Sequence, residues 1–300
     1  RPNTTMRVFP MCPACETEYT TPTDRRFHAQ PISCPNCGPQ LSMSIAAARA
    51  LIDAGRILAV KGIGGFHLMC DATNEDAVAE LRRRKNRPDK PFAVMVPDLD
   101  WARRLVTLAP EEEELLTSPA RPIVIASARV ELPGIAPGLG DIGVLLPYTP
   151  LHSLLVDRPM VATSGNAAGE PLCFTNDDAM SKLGALADEF VLHDRDIHIP
   201  VEDSVFVGTT PSRRSRGYAP LPIPVASGPT VLAVGGELKN TFALATVCMC
   251  QRMWVTWGRW PASRRLTVGL SRCSGFNARN HRWWCVTCTP DMPLLHWRSA

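Results

Sequence analysis

Three hundred residues, 45% of them hydrophobic, suffice for one sizeable core or two modest ones and exclude a chain that is disordered throughout. No uninterrupted apolar stretch approaches the ~18–20 residues of a membrane span, and no basic-then-apolar signal peptide opens the sequence, so no membrane partner and a cytoplasmic location are expected. The formal charge of +3 is unevenly spread: residues 248–300 carry +7 and residues 1–247 carry −4, so any basic surface of the main body must be local.

In chain order, the first feature is Cys12-Pro-Ala-Cys15 followed, eighteen residues on, by Cys34-Pro-Asn-Cys37-Gly38. This is the pattern of a tetrahedral four-cysteine zinc site, with Cys12, Cys15, Cys34 and Cys37 as ligands. Four thiolates leave no open position for water, so the expected Zn²⁺ is structural and supplies most of the folding free energy of residues 1–42. The C-x-x-C spacing also suits a reducing compartment better than a secreted disulfide scaffold.

Residues 43–227 alternate between helical and strand patterns. Residues 44–55 predict a helix ended by Gly55, residues 56–66 a strand running into a glycine turn, and residues 74–86 a helix with Asn74 as N-cap. Strands are predicted at 91–96, 121–127, 143–148, from 160 into a loop, at 189–194 and at 204–208, with helices at 99–108, 110–116, 149–155 and 176–186. The fold class is therefore α/β, a mixed twisted sheet with helices, preceded by the small four-cysteine module. Residues 228–247 hold two apolar runs joined by GGELKN, a predicted hairpin. Residues 248–300 hold six of the seven Trp, five Cys and eight Arg without a period; they read as a basic tail, disordered or the product of a shifted reading frame, with RNA binding as the competing idea.

Six cations, Arg82, Arg83, Arg84, Lys85, Arg87 and Lys90, precede the strand at 91–96. The first three have a plain role at a helix C-terminus, where cations favour the dipole. Lys85, Arg87 and Lys90 stand where Pro88 and Pro91 stop the helix and stiffen the chain, a placement suited to converging on an anion. Lys61 before Gly62, Gly64 and Gly65, and the donors Ser164 and Asn166 in a glycine-flanked loop, could join them. No Walker A loop occurs, and the literal G-x-G-x-x-G at Gly138, Gly140 and Gly143 precedes a strand instead of opening a helix, so a dinucleotide fold is rejected. His193, Asp194, Asp196, His198, Glu202 and Asp203 crowd together, but a strand-and-turn role is favoured over a metal site.

The segments KGIGGFHLMCDA, LRRRKNRPDKPFAVM, IAPGLGDIGVLLPYTPLHSLL, ATSGNAAGEP, HDRDI, EDSV and RRSRGYAP together resemble the YrdC-like domain of HypF-type hydrogenase-maturation carbamoyltransferases. The four-cysteine segment before them and VLAVGGELKNTFAL after them fit the same family in the same order, over about residues 1–247. The resemblance implies ATP-dependent formation of carbamoyl-adenylate from carbamate, itself derived from carbamoyl phosphate. The carbamoyl group then passes, through an actin-like domain, to the partner protein HypE for cyanide ligand synthesis in the nickel–iron hydrogenase. It implies Lys85, Arg87 and Lys90 as catalytic residues, and Lys61, Ser164, Asn166, Arg214 and Arg216 as nucleotide and carbamate ligands, with Mg²⁺ as a further cofactor.

Departures from the family pattern lead to the expectation of a fragment. No acylphosphatase-like segment precedes Arg1, one of two four-cysteine motifs is present, and residues 228–247 are the truncated start of an actin-like domain. Pro200 stands where the family usually has Arg, and the stretch between Val207 and Arg213 looks short. Double-stranded RNA binding by the YrdC-like domain and threonylcarbamoyl-adenylate synthesis are the alternative functions.

Overall fold

The computed structural model describes residues 1–219, Leu221 and three strands beyond them. The helices are α1 (Pro13–Thr20), α2 (Ile45–Asp53), α3 (Glu75–Lys85), α4 (Leu99–Leu105), α5 (Pro110–Thr117), α6 (Pro150–Leu155) and α7 (Asn176–Leu183). The strands are β1 (Leu58–Lys61), β2 (Phe66–Asp71), β3 (Ala93–Met95), β4 (Ile123–Ser127), β5 (Asp141–Leu145), β6 (Met160–Ser164), β7 (Glu189–Val191), β8 (Val205–Val207) and β9 (Thr210–Arg213). These nine form one mixed sheet in the order β7-β1-β2-β6-β3-β5-β4-β8-β9. A separate antiparallel sheet comprises β10 (Val231–Val234), β11 (Thr241–Ala245) and β12 (Arg252–Val255). The pairing of β10 with β11 matches the expected hairpin, whereas Gly235, Gly236 and Asn240 in its connection lie outside the described residues. So does the basic tail, apart from β12.

Local chemistry sets the helix ends. Ser44 caps α2 by accepting from the Ala47 N–H, and Asn74 caps α3 by accepting from Ala77 at 3.0 Å. Asn86 ends α3 in the left-handed conformation, φ 48°. The helix expected over 99–108 stops at Leu105, because Val106 turns extended and bridges to Ala128. β2 and β9 were not foreseen as strands. Residues Phe66–Cys70, apolar apart from His67, are buried on both sides of the sheet and so lack the alternation that marks a half-exposed strand. β9 follows β8 after a two-residue turn at Gly208-Thr209, which accounts for the short stretch noted in the sequence.

Strand alternation divides the core into two layers. On one face, Leu68, Val94, Val124, Val144 and Val161 pack beneath α3, α4, α5 and α7. On the other, Val60, Met69, Met95, Leu145 and Met160 pack beneath α2 and α6. These two helices cover only part of that face. Ala93, Gly143, Ala162, Ile123, Ile125 and Val205 continue the same rows past them and form the floor of an open cavity.

Candidate active site

The cavity has a volume of about 410 Å³. Small residues, Ala93, Gly143 and Ala162, lie at its floor, and Gly143 is closely bounded: a Cβ added there would stand 3.0 Å from Ile123 Cγ2. Such a strip suits a planar ring. The rim is polar, and three cations reach it: Arg87, Lys90 and Arg213. Arg87 donates to Thr163 Oγ1 (3.0 Å), Lys90 O (3.2 Å) and Pro91 O, and its guanidinium lies over the Phe92 ring. Burial, reinforced by Arg82, lowers its pKa to about 10, so it stays charged at neutral pH. The Lys90 ammonium is lowered by burial and then by repulsion from Arg87 and Arg213. Like charges held this close in a half-buried hollow are an unfavourable arrangement that a bound polyanion relieves.

Ser164 also lines the cavity, at the end of β6 and directly across from His67 of β2. Lys85 stands behind it, almost fully buried. Its ammonium donates to Ser164 O (2.5 Å), Asn166 O (2.8 Å) and Asn166 Oδ1 (3.1 Å), while Ser164 Oγ donates to the same Oδ1 at 2.7 Å. The lysine thus shapes the backbone of the 164–166 loop. Gly64 and Gly65 are squeezed between two neighbouring segments: a Cβ would come within 2.3 Å of Val201 O at the first and of Leu172 Cδ2 at the second.

Not every expected residue meets at this place. Lys61 is buried, donates to His193 O at 2.9 Å, and faces a crevice of about 1010 Å³ on the far side of the glycine turn. Burial lowers its pKa against the opposing pull of Asp196 and Asp194. Arg216 is spent on Asp203 Oδ1 (2.9 Å), Ala120 O (2.7 Å) and Arg121 O (2.9 Å), and stacks 3.5 Å from the Tyr148 ring centre. Arg214 lies toward Tyr218, outside the cavity. Arg213 takes the place the sequence suggested for these two. The crowded acids and histidines of 193–203 serve separate partners: His193 contacts Gly62 O, Glu202 pairs with Arg213, and Asp203 pairs with both His67 and Arg216.

Behind the rim, His67 Nε2 meets Asp203 Oδ2 at 2.9 Å and Tyr148 Oη stands 3.4 Å from His67 Nδ1. Burial would raise the Asp203 carboxyl, but the charges and hydrogen bonds of His67 and Arg216 hold it far below the usual range. His152, from α6, packs edge-on against Tyr148 with no exposed surface, and neither ring nitrogen has a hydrogen-bond partner. Burial, then the neighbouring His67, lowers it to about 3, so it is neutral.

At the N-terminal module the four sulfurs all lie within 4.8 Å of one another, with Cys12–Cys34 at 3.6 Å and Cys34–Cys37 at 3.8 Å. Tetrahedral zinc with Zn–S bonds of about 2.3 Å requires S···S separations of roughly 3.8 Å, so the cluster fits a structural zinc. A backbone hydrogen bond at Cys12 and others at Cys34, Cys15 and the Arg1 guanidinium outweigh burial and lower the Cys37 thiol to about 6, favouring the ligating thiolate.

Comparison with known proteins agrees with this anatomy. Residues 50–215 match the Sua5/YciO/YrdC family, described as telomere recombination, and residues 11–44 match the HypF finger. The chain is 49% identical over 264 residues to carbamoyltransferase HypF of Rhodobacter capsulatus, covering 81% of this chain and 36% of the relative. It is 49% identical over 300 residues to carbamoyltransferase HypF of Rhizobium leguminosarum bv. viciae, covering 78% and 40%. A crystal structure of full-length HypF in the phosphate- and nucleotide-bound form superposes with a TM-score of 0.77 at 44% identity, over 85% of this chain and 36% of that one. The chain thus spans two fifths or less of the length of these relatives. No described helix is long and apolar enough to cross a membrane.

Proposed function

Because the chain belongs to the Sua5/YciO/YrdC family, in the HypF-type arrangement that sets a HypF finger before the YrdC-like domain, we propose that it forms carbamoyl-adenylate from ATP and carbamate. One observation supports this most: Arg87, Lys90 and Arg213 converge on the rim of a cavity whose floor is flat and apolar. The floor takes the adenine ring, and the cations take the triphosphate. Carbamate is already an anion, so its oxygen attacks the α-phosphorus without a general base as the bond to the β-phosphate oxygen breaks and pyrophosphate leaves. The protein's task is neutralisation and alignment, for which charge-assisted donors are suited. Ser164 Oγ and the 164–166 backbone, held by Lys85, orient the small substrate at the cavity end. Glu202 and Asp203 are engaged with arginines and His67, so Mg²⁺ is carried chiefly by the phosphates.

In the full-length relatives' context, the carbamoyl group goes on to HypE in hydrogenase maturation, within the cytoplasm; residues 228–247 begin the domain that would pass it on. Lys61, outside the cavity, serves the His193 turn. The test is ATP–pyrophosphate exchange dependent on carbamate. Wild-type chain should exchange, and Arg87→Ala should abolish exchange while leaving the thermal transition in place. Exchange unaltered by Arg87→Ala, or none with wild type, refutes the reading. RNA binding, the alternative, would show instead as affinity that falls steeply with salt and tolerates single substitutions.

A further inference from the structure

Among the described residues His67 is the one imidazole lining the cavity, and no part of the proposed adenylation chemistry uses it. Its polar contacts form a chain, and on the carboxylate side the donors are clear. Arg216 has only donors, so Asp203 Oδ1 accepts from its Nε. The other carboxylate oxygen also accepts, so His67 Nε2 carries the proton. The Tyr148 hydroxyl oxygen lies 3.4 Å from the other ring nitrogen, Nδ1. The chain runs from the loop before α6, through β2, to the segment 201–204, and through Arg216 to the carbonyls of residues 120 and 121 ahead of β4.

The point of convergence is Asp203. Besides its two carboxylate contacts, its backbone carbonyl accepts from Arg213 Nε at 2.8 Å, and the adjacent Glu202 carboxylate accepts from Arg213 Nη1. Val201, two residues earlier, donates to Gly64 O at 2.8 Å. The segment that carries Arg213's partners is therefore pinned at Gly64 and at His67; the β8–β9 pairing brings Arg213 to the cavity wall, and this segment holds its guanidinium there.

We propose that His67 and Asp203 are a positioning pair, which fixes the 201–204 segment across the glycine turn and so holds Arg213 where a polyphosphate meets it. This rests on the adenylate-forming reading for its substrate. The pairing itself is tested with inorganic pyrophosphate, whose binding does not require turnover.

Calorimetric pyrophosphate binding would be compared for wild type, His67→Asn, His67→Gln, Asp203→Asn, Arg213→Ala and the double variant Asp203→Asn/Arg213→Ala. Gln places an amide N–H near the position of Nε2 and can still donate to Asp203; Asn is too short. Binding should weaken about tenfold or more in His67→Asn and Asp203→Asn, and His67→Gln should recover most of that loss. In the Arg213→Ala background, Asp203→Asn should cost less than about threefold more, since the cation it positions is gone. A purely structural role would not produce that non-additivity. Equal losses for Gln and Asn, or an Asp203→Asn effect undiminished by Arg213→Ala, would overturn the proposal. Should wild type bind pyrophosphate with this pattern yet show no carbamate-dependent exchange, the adenylation reading falls and the positioning pair stands.

Discussion

Replacing Lys85 by Met keeps the length of the side chain and removes its three donors. Ser164 O and Asn166 O then lose this partner, whereas Asn166 Oδ1 keeps the Ser164 hydroxyl. Ser164 O retains the Asn166 N–H at 3.0 Å, so one carbonyl, Asn166 O, loses its donor, at a cost of about 1–3 kcal/mol. The favourable placement of the ammonium in the last turn of α3 is worth about 0.3–1 kcal/mol more. The loop can relieve part of this by opening to water, so about 2 kcal/mol, inside the summed range, is the expected loss in urea unfolding. The same loop carries Ser164 into the cavity. If it must be closed for reaction, 2 kcal/mol corresponds to a fall of about 30-fold in ATP–pyrophosphate exchange. Lys85→Met that unfolds within about 0.5 kcal/mol of wild type and exchanges within about threefold would refute this account of the lysine.

Other outcomes follow from the same geometry. Gly143→Val should fill the cavity floor, weakening nucleotide binding by about tenfold or more in equilibrium titration, and, because its Cβ meets Ile123 Cγ2 at 3.0 Å, it should also lower stability by about 1–3 kcal/mol. His152 should make the chain acid-sensitive: its folded pKa, about 3, lies below the unfolded value, so stability is full above pH ~6.5 and falls by about 1.4 kcal/mol per unit as pH drops toward 3. His152→Leu should remove that part of the slope in denaturant titrations at several pH values. A chelator should abolish order in the four-cysteine module, read as loss of chemical-shift dispersion for residues 11–38, and restored zinc should return it.

Features governed by neighbours in the chain were legible in the sequence. Asn74 and Ser44 announce their helices by local hydrogen bonds, and the cysteine spacing announces the metal site. Arg87, Lys90 and Ser164 could be singled out because two prolines and a glycine loop constrain them. What escaped depends on register or on distant pairing. Three of the four residues in RRSR are arginines, and which one enters the cavity is decided by the turn at Gly208-Thr209 that sets the β8–β9 pairing. Asp203 meets His67 across 136 positions, with no local signal in either segment. Lys61 follows the strand pattern into the glycine turn, but the turn folds away from the cavity and carries its amine to the other side.

The segment that leaves the four-cysteine module also covers one end of the sheet's edge. β7 is an outermost strand, and residues 40–42, leaving the four-cysteine module, pair with the chain just past its end: Leu41 bridges to His193, Ser42 N–H donates to Leu192 O at 2.9 Å, and Gln40 N–H donates to Asp194 Oδ1 at 2.8 Å. Metal loss would free that cover and bare a row of main-chain donors and acceptors to other copies of the chain. Zinc starvation would then be felt first as self-association, before any change at the cavity.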